Sequence, residues 1–342
     1  MLQPYLGCSN RDFQVRRARR KQLQTSWAAW LLLALVWGCD SPPAEPERLI
    51  IGEPVAAATG FAEVVDADAR VEVLAEGYAW SEGPVWVGGS IGLLYSDVPG
   101  NTIHRWHEAD GASVWLTPSG DTDGSGGGGS NGLTLDAAGR LILAQHGDRR
   151  IARLEAPWDN PASRFETLTD SYDDRPYNSP NDLVFGSDGS LYFTDPPYGL
   201  ESPSQSALGF MGVYRLGPSG NVSLIDSTLT RPNGIALSPD ESVLYVANSD
   251  PEQAMWVAYD LSPDGTVSGK RVFADATASV GQENPGLPDG LKVDTEGRLF
   301  ATGPGGVWVL DSSGAHLGTI RTEGATANVA FGEDGSTLFL TS

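Results

Sequence analysis

The chain has 342 residues, with 22 Lys plus Arg against 44 Asp plus Glu and a net charge of −22. So acidic a surface repels phosphate backbones, which excludes nucleic acid as a partner. Its two cysteines, Cys8 and Cys39, both lie ahead of residue 40, so the body of the chain has neither disulfide nor thiol chemistry.

In chain order, the first feature is a basic stretch, Arg16-Arg17-Ala18-Arg19-Arg20-Lys21, followed by an apolar run at 27–37. That run is short of the roughly 20 residues a spanning helix needs, and it reads as an export signal. Gly38-Cys39 resembles a bacterial lipoprotein cleavage site, with Cys39 carrying the lipid. Residues 1–38 are expected to be a lipoprotein-type signal and 39–60 a tether, rich in Pro and Glu over 41–47. The expected address is the periplasm or cell envelope, with membrane contact only through the lipid on Cys39. The part up to Gly38 holds 6 basic residues and 1 acidic, which leaves 16 basic against 43 acidic residues for the rest. That acidity keeps an exported domain soluble and weakly favours cation recruitment.

From residue 61 onward the chain repeats itself. Six stretches correspond: Glu82-Gly83-Pro84-Val85-Trp86, Asn131-Gly132-Leu133-Thr134-Leu135, Asn181-Asp182-Leu183-Val184-Phe185, Asn233-Gly234-Ile235-Ala236-Leu237, Asp289-Gly290-Leu291-Lys292-Val293 and Ala327-Asn328-Val329-Ala330-Phe331. Their opening residues are 49, 50, 52, 56 and 38 positions apart. Each opens a short strand, then a Gly-bearing turn, then a second β-rich run, which is the hairpin signature. Third and fourth strands follow in most repeats, as in Gly212-Val213-Tyr214-Arg215-Leu216 and Asn221-Val222-Ser223-Leu224-Ile225. Four antiparallel strands per unit and six units predict an all-β fold, a six-bladed β-propeller over 61–342. A β-sandwich does not repeat at this length, and solenoid repeats are shorter. The last unit has only two strands before Ser342; residues 70–74 supply an outer strand, and the third has no evident source.

In a propeller, equivalent positions share one height and radius. Glu82, Asn131, Asn181, Asn233, Asp289 and Ala327 therefore face one mouth of the central channel. Five of the six carry side-chain oxygens, with no Cys or His among them. Carboxylate and amide oxygens suit a hard cation, Ca²⁺ above all, with another divalent ion as the alternative. The competing reading is that Asn-Gly and Asp-Gly are turn dipeptides. The shared register across units favours metal ligands, since a turn would accept Ser or Gly equally well.

The ordered set Ser81-Glu82-Gly83-Pro84-Val85-Trp86, Ser179-Pro180-Asn181-Asp182-Leu183, Tyr192-Phe193-Thr194-Asp195-Pro196-Pro197-Tyr198-Gly199, Arg231-Pro232-Asn233-Gly234 and Pro288-Asp289-Gly290-Leu291 resembles the senescence-marker-protein / gluconolactonase family. It is more distantly similar to diisopropylfluorophosphatase and paraoxonase. The resemblance implies a divalent cation, usually calcium, on Glu82, Asn181, Asn233 and Asp289. It implies hydrolysis of a lactone or related ester, with proton transfer assigned to Asp289 and with Asn131 near the substrate, alongside Asn181. Sugar-lactonase relatives carry an Arg two residues before the third-unit Asn, where this chain has Ser179. That departure bears on an aldonolactone substrate and not on lactonase chemistry.

The expected mechanism is metal-assisted attack of water on a polarised carbonyl. Asp289 is base, nucleophile or only a ligand, since a metal-bound carboxylate is a weak base. His146, at the end of a second strand, is the candidate general base rimming the site, set against a loop histidine bonded to backbone. Asp195 and Asn248 hold comparable places and fit either the site or turn capping. Two G-x-S-x-G matches, at 88–92 and 128–132, precede no helix and are not nucleophile elbows. Spaced tryptophans such as Trp86, Trp256 and Trp308 fit packing between units. The competing functions are a non-catalytic ligand-binding propeller with a structural calcium ion, and hydrolysis of an organophosphate or other ester at the same site.

Overall fold

A computed structural model describes residues 10–16, as backbone, and residues 48–342. The chain is an all-β propeller whose blades are antiparallel sheets of four strands. Four sheets are plain meanders: 81–116, 130–169, 183–226 and 232–275. Two more are five-stranded. One carries Leu291–Val293, Leu299–Gly303, Gly306–Leu310 and His316–Arg321, with Pro54–Ala56 added at its outer edge. The other runs Asn328–Gly332, Thr337–Thr341, Asn10–Arg16, Val71–Tyr78, Ile50–Gly52. The helical turns among the described residues are short 3-10 segments, such as Thr59–Glu63.

Burial explains the patterning along each meander. Middle strands are covered by sheets on both faces and are buried throughout, as in Leu141–Gln145 and Gly306–Leu310. Outer strands face water on one side, and Val267–Asp275 is correspondingly polar and mostly open. First strands of neighbouring sheets touch in sequence, and Asn328–Gly332 touches Ser81–Gly88 to complete the circuit.

The core lies between sheets. Six apolar clusters each straddle two consecutive sheets. Trp256 and Trp308 meet across one seam with ring centroids 5.4 Å apart. Trp86 stacks on Phe339 at 5.2 Å across the seam that closes the ring. These are the packing roles expected for the tryptophans. Truncating a buried residue such as Trp256 to Ala would cost about 3–5 kcal/mol.

The N-terminal part differs from expectation. Residues 50–52 and 54–56, read as tether, are strands in two different sheets. Ile51 is buried with Phe61 and Val71, and sheet edges readily accept an added strand. The missing third strand of the closing sheet is Asn10–Arg16, paired with Thr337–Thr341 on one side and Val71–Tyr78 on the other. Cleavage ahead of Cys39 would remove that strand. The rest of the export-signal reading, including Cys39, lies outside the described residues.

Candidate metal centre

The repeated glycines are demanded by the ring and not by turns. At Gly83 a Cβ would sit 2.0 Å from the Asn131 carbonyl oxygen; at Gly132, 2.5 Å from that of Asn181; at Gly234, 2.1 Å from that of Asp289. At these three seams the opening residue's carbonyl presses on the glycine of the unit before it. Two direct bonds follow the same path, Gly132 N–H to Asn181 O and Gly290 N–H to Ala327 O, both 2.7 Å. Hydroxyls on second strands add latches: Ser96 to Asn131 O at 2.8 Å, Thr194 to Asn233 O at 2.7 Å, Thr302 to Ala327 O at 3.1 Å. A buried bond of this kind contributes about 1 kcal/mol, and it fixes the height of the opening residue. Both G-x-S-x-G stretches lie outside any helix. One spans a hairpin turn; in the other, Ser130 opens a strand and shares a hydrogen bond with Ser96.

Three carboxylates, Glu82, Asp182 and Asp289, lie within one another's electrostatic field where these strands open. Glu82 and Asp182 are buried, and both accept a hydrogen bond from Asn328 Nδ2, at 3.3 Å and 3.4 Å. Asn328 Oδ1 accepts from Val329 N–H at 2.8 Å and from Lys292 Nζ at 3.5 Å. Asp289 lies close to the Asn233 side chain and within the field of Glu82 and Asp182. Its Oδ1 is buried without a partner. Burial raises the Glu82 carboxyl to about 7, against the Gly83 N–H that favours its charged form, and Asp182 adds to the rise. Burial pushes Asp289 well above the usual carboxylate range, helped by Glu82 and Asp182. No salt bridge reaches these three acids among the described residues.

Asp182 and Asn328 were not anticipated as site residues. Both occupy the slot that is glycine in four other units, at 83, 132, 234 and 290. Ala327 keeps its place in the backbone ring but contributes no oxygen; the sixth unit's polar group comes from the next residue. An oxygen-bearing side chain in the glycine slot was the available signal.

Asn131 and Asn181 are buried on the same ring, and Asn131 Oδ1 has no partner. His146 is 3% exposed, so it does not rim an open mouth. It lies beneath the Gly126–Gly129 stretch and the 198–199 loop: its N–H donates to Gly129 O at 3.0 Å, and a Cβ on Gly199 would stand 3.3 Å from its own. Burial lowers its pKa to about 4, so the ring is neutral, and its Nε2 is buried without a partner. Asp195 is a loop clamp. Its two oxygens accept the N–H groups of Asn178 and Ser179 at 2.8 and 2.7 Å, and burial raises it to about 7. Asn248 does the same work for Arg231 N–H at 2.9 Å.

Tyr198 closes the arrangement. Burial and the Asp289 charge both raise its phenol, which lies in the neighbourhood of the Ser249 and Asn233 side chains. A second acidic group, Asp121, Asp123 and Asp148, has ligand atoms within 4.8 Å of one another. Its carboxylates already hold Ser125, Gly126, Thr122 and the Arg150 cation, whereas Glu82 and Asp182 accept only from neutral N–H groups, among them Gly83 at 3.0 Å and Leu183 at 2.8 Å. The axial group is all-oxygen, carries excess negative charge and leaves the Asp289 Oδ1 unpaired.

Residues 80–342 match the SMP-30/Gluconolactonase/LRE-like region family. The chain belongs to that family. It is 39% identical to a gluconolactonase of Zymomonas mobilis over 290 residues, covering 81% of this chain and 80% of that one. It is 28% identical to the pentonolactonase XacC of Haloferax volcanii over 272 residues, 76% and 80% of the two chains. A solved gluconolactonase structure from Xanthomonas campestris superposes with a TM-score of 0.72 at 32% identity, covering 86% of this chain and 97% of that one. A calcium-binding regucalcin of Agrobacterium tumefaciens, 20% identical with a TM-score of 0.61, shares the fold.

Proposed function

We propose that this protein is a divalent-cation-dependent lactonase acting at the channel mouth of a six-bladed propeller, the closing sheet being the sixth blade. The lactonase class follows from relatives that are lactone hydrolases, one of them 39% identical over most of both chains. The observation that carries the cation is the group of Glu82, Asp182 and Asp289, the first two buried and the third half-buried, with no salt bridge to any of them among the described residues.

Glu82, Asn181, Asn233 and Asp289 would hold the ion, and Ca²⁺ suits their hard oxygens. A bound divalent cation supplies Lewis-acid polarisation of the lactone carbonyl and stabilisation of the oxyanion that forms. Asn328 keeps Glu82 and Asp182 oriented from below, with Lys292 behind it. Asn131, whose Oδ1 is unpaired, would bind the substrate. Asp289 Oδ1 is the unpaired oxygen best placed to orient or accept a proton from the attacking water. Buried and neutral, His146 is the second candidate base, set back behind Gly199.

The experiment is paired substitution. Asp289→Ala and Glu82→Gln are expected to lose Ca²⁺ binding by calorimetry and lactone hydrolysis together. Full activity in either variant would remove that residue from the centre.

A further inference from the structure

Lys292 breaks the register that the rest of the channel keeps. It is the fourth residue of its unit's stretch, and the five equivalent places hold Val85, Thr134, Val184, Ala236 and Ala330, none of them charged. Strand residues two apart share a face, so this tier lies one step along from the slot that holds Asp182 and Asn328. Lys292 is half-buried there. Its ammonium donates to Leu291 O at 3.1 Å and to Asn328 Oδ1 at 3.5 Å, and it makes no ion pair among the described residues. The nitrogen of the same amide donates to Glu82 at 3.3 Å and to Asp182 at 3.4 Å. Asn328 cannot swing away from this bridge. Val329 N–H also holds its Oδ1, at 2.8 Å, and its amide fills the space that a Cβ on Gly290 would need. One cation therefore stands a single amide behind the acids, within about 10 Å of two carboxylates.

Charge balance gives that cation a role. Ionised, Glu82, Asp182 and Asp289 carry three negative charges; the ammonium leaves a net of two, which one divalent ion neutralises. Without it the group would suit a trivalent ion better. We propose that Lys292 is an internal counter-charge that matches the centre to divalent cations and moderates how tightly they are held. It acts through Asn328 and through space, and is a positioning residue that touches no reacting atom. This rests on the cation reading above.

The test is calorimetry with Ca²⁺ and La³⁺ on the full chain as wild type, Lys292→Met and Lys292→Gln. Met keeps the aliphatic stem and Gln keeps a donor for Asn328, while both remove the charge. Coulomb energy scales with the charge of the ion, so losing the ammonium should tighten both ions unequally. The expected gain in both variants is about tenfold for Ca²⁺ and about thirtyfold for La³⁺. A lost hydrogen bond or a packing defect would instead weaken binding, and would not scale with ionic charge. Unchanged or weaker binding, or equal gains for the two ions, would overturn the proposal. Melts without added ion separate it from the cation reading. Lys292→Met should cost more Tm beside Asp182 than in an Asp182→Asn background, where there is less charge to offset. If wild type binds neither ion, the cation reading fails and the match to divalent ions with it. The counter-charge to the acids then stands only if that difference in Tm is found. Equal costs in the two backgrounds overturn it.

Discussion

The amide of Asn328 donates to Glu82 Oε2 at 3.3 Å, across the seam where the last unit meets the first, 246 residues apart in sequence. The same nitrogen approaches Asp182 Oδ2 at 3.4 Å, in the unit three places round the ring. Closing the propeller and orienting its acids are therefore one act. Asn328→Leu keeps the volume and removes the donor. It is expected to weaken Ca²⁺ binding by at least about tenfold, the usual effect of losing a partner behind a metal ligand. Calorimetry on the variant, with a thermal melt to confirm folding, is the check.

Gly234 is a second point where ring and site coincide. A Cβ there would lie 2.1 Å from the backbone oxygen of Asp289, which cannot swing aside as a side chain would. Gly234→Ala is expected to lose about 2–3 kcal/mol or more of stability and to weaken cation binding. Gly281 has open space around it, so Gly281→Ala is the control and should leave the melting temperature within about a degree. Equal melts for the two variants would contradict the ring-contact account.

The pH behaviour should reflect His146. Its folded pKa, about 4, lies below the ordinary 6.5 because burial disfavours the cation. The stability it contributes is whole above 6.5 and is lost as pH falls through 4. Wild type should therefore lose Tm faster than His146→Gln between pH 6.5 and 4. Parallel Tm profiles would mean the imidazole titrates normally. If His146 is a base, His146→Gln also lowers turnover with Ca²⁺ affinity retained, and any acid limb it imposes on turnover falls near 4.

The N-terminal strand offers a direct stability test. Removing residues 1–38 strips Asn10–Arg16 from between Val71–Tyr78 and Thr337–Thr341, exposing two facing edges. A lower Tm is expected for the shortened chain than for the full chain. An unchanged Tm would show that the closing sheet stands without that strand, as export with cleavage ahead of Cys39 requires.

Much of this was legible in the sequence, for identifiable reasons. The repeat exposed the meanders because each unit must present the same apolar faces to its neighbours, and the glycines marked where neighbours press closest. The oxygen-bearing openings at 82, 131, 181, 233 and 289 were visible because the register repeats. Asp182 and Asn328 were not, because they break that register to place a side chain where glycine is the rule. His146 was read as lying at the mouth from strand direction alone, and nothing in its own segment foretold the glycine loop and Gly199 that cover it. The strand at 10–16 was hidden by its distance from the sheet it joins and by the export-like composition beside it.

The central claim is that a divalent cation on Glu82, Asn181, Asn233 and Asp289 drives lactone hydrolysis. The most direct measurement is D-glucono-1,5-lactone hydrolysis by the full chain, before chelation, after it, and after Ca²⁺ is returned. The account predicts activity that disappears on chelation and is restored by Ca²⁺, with Asp289→Ala inactive throughout. Activity that survives complete chelation would contradict it, as would tight Ca²⁺ binding with no hydrolysis of any lactone.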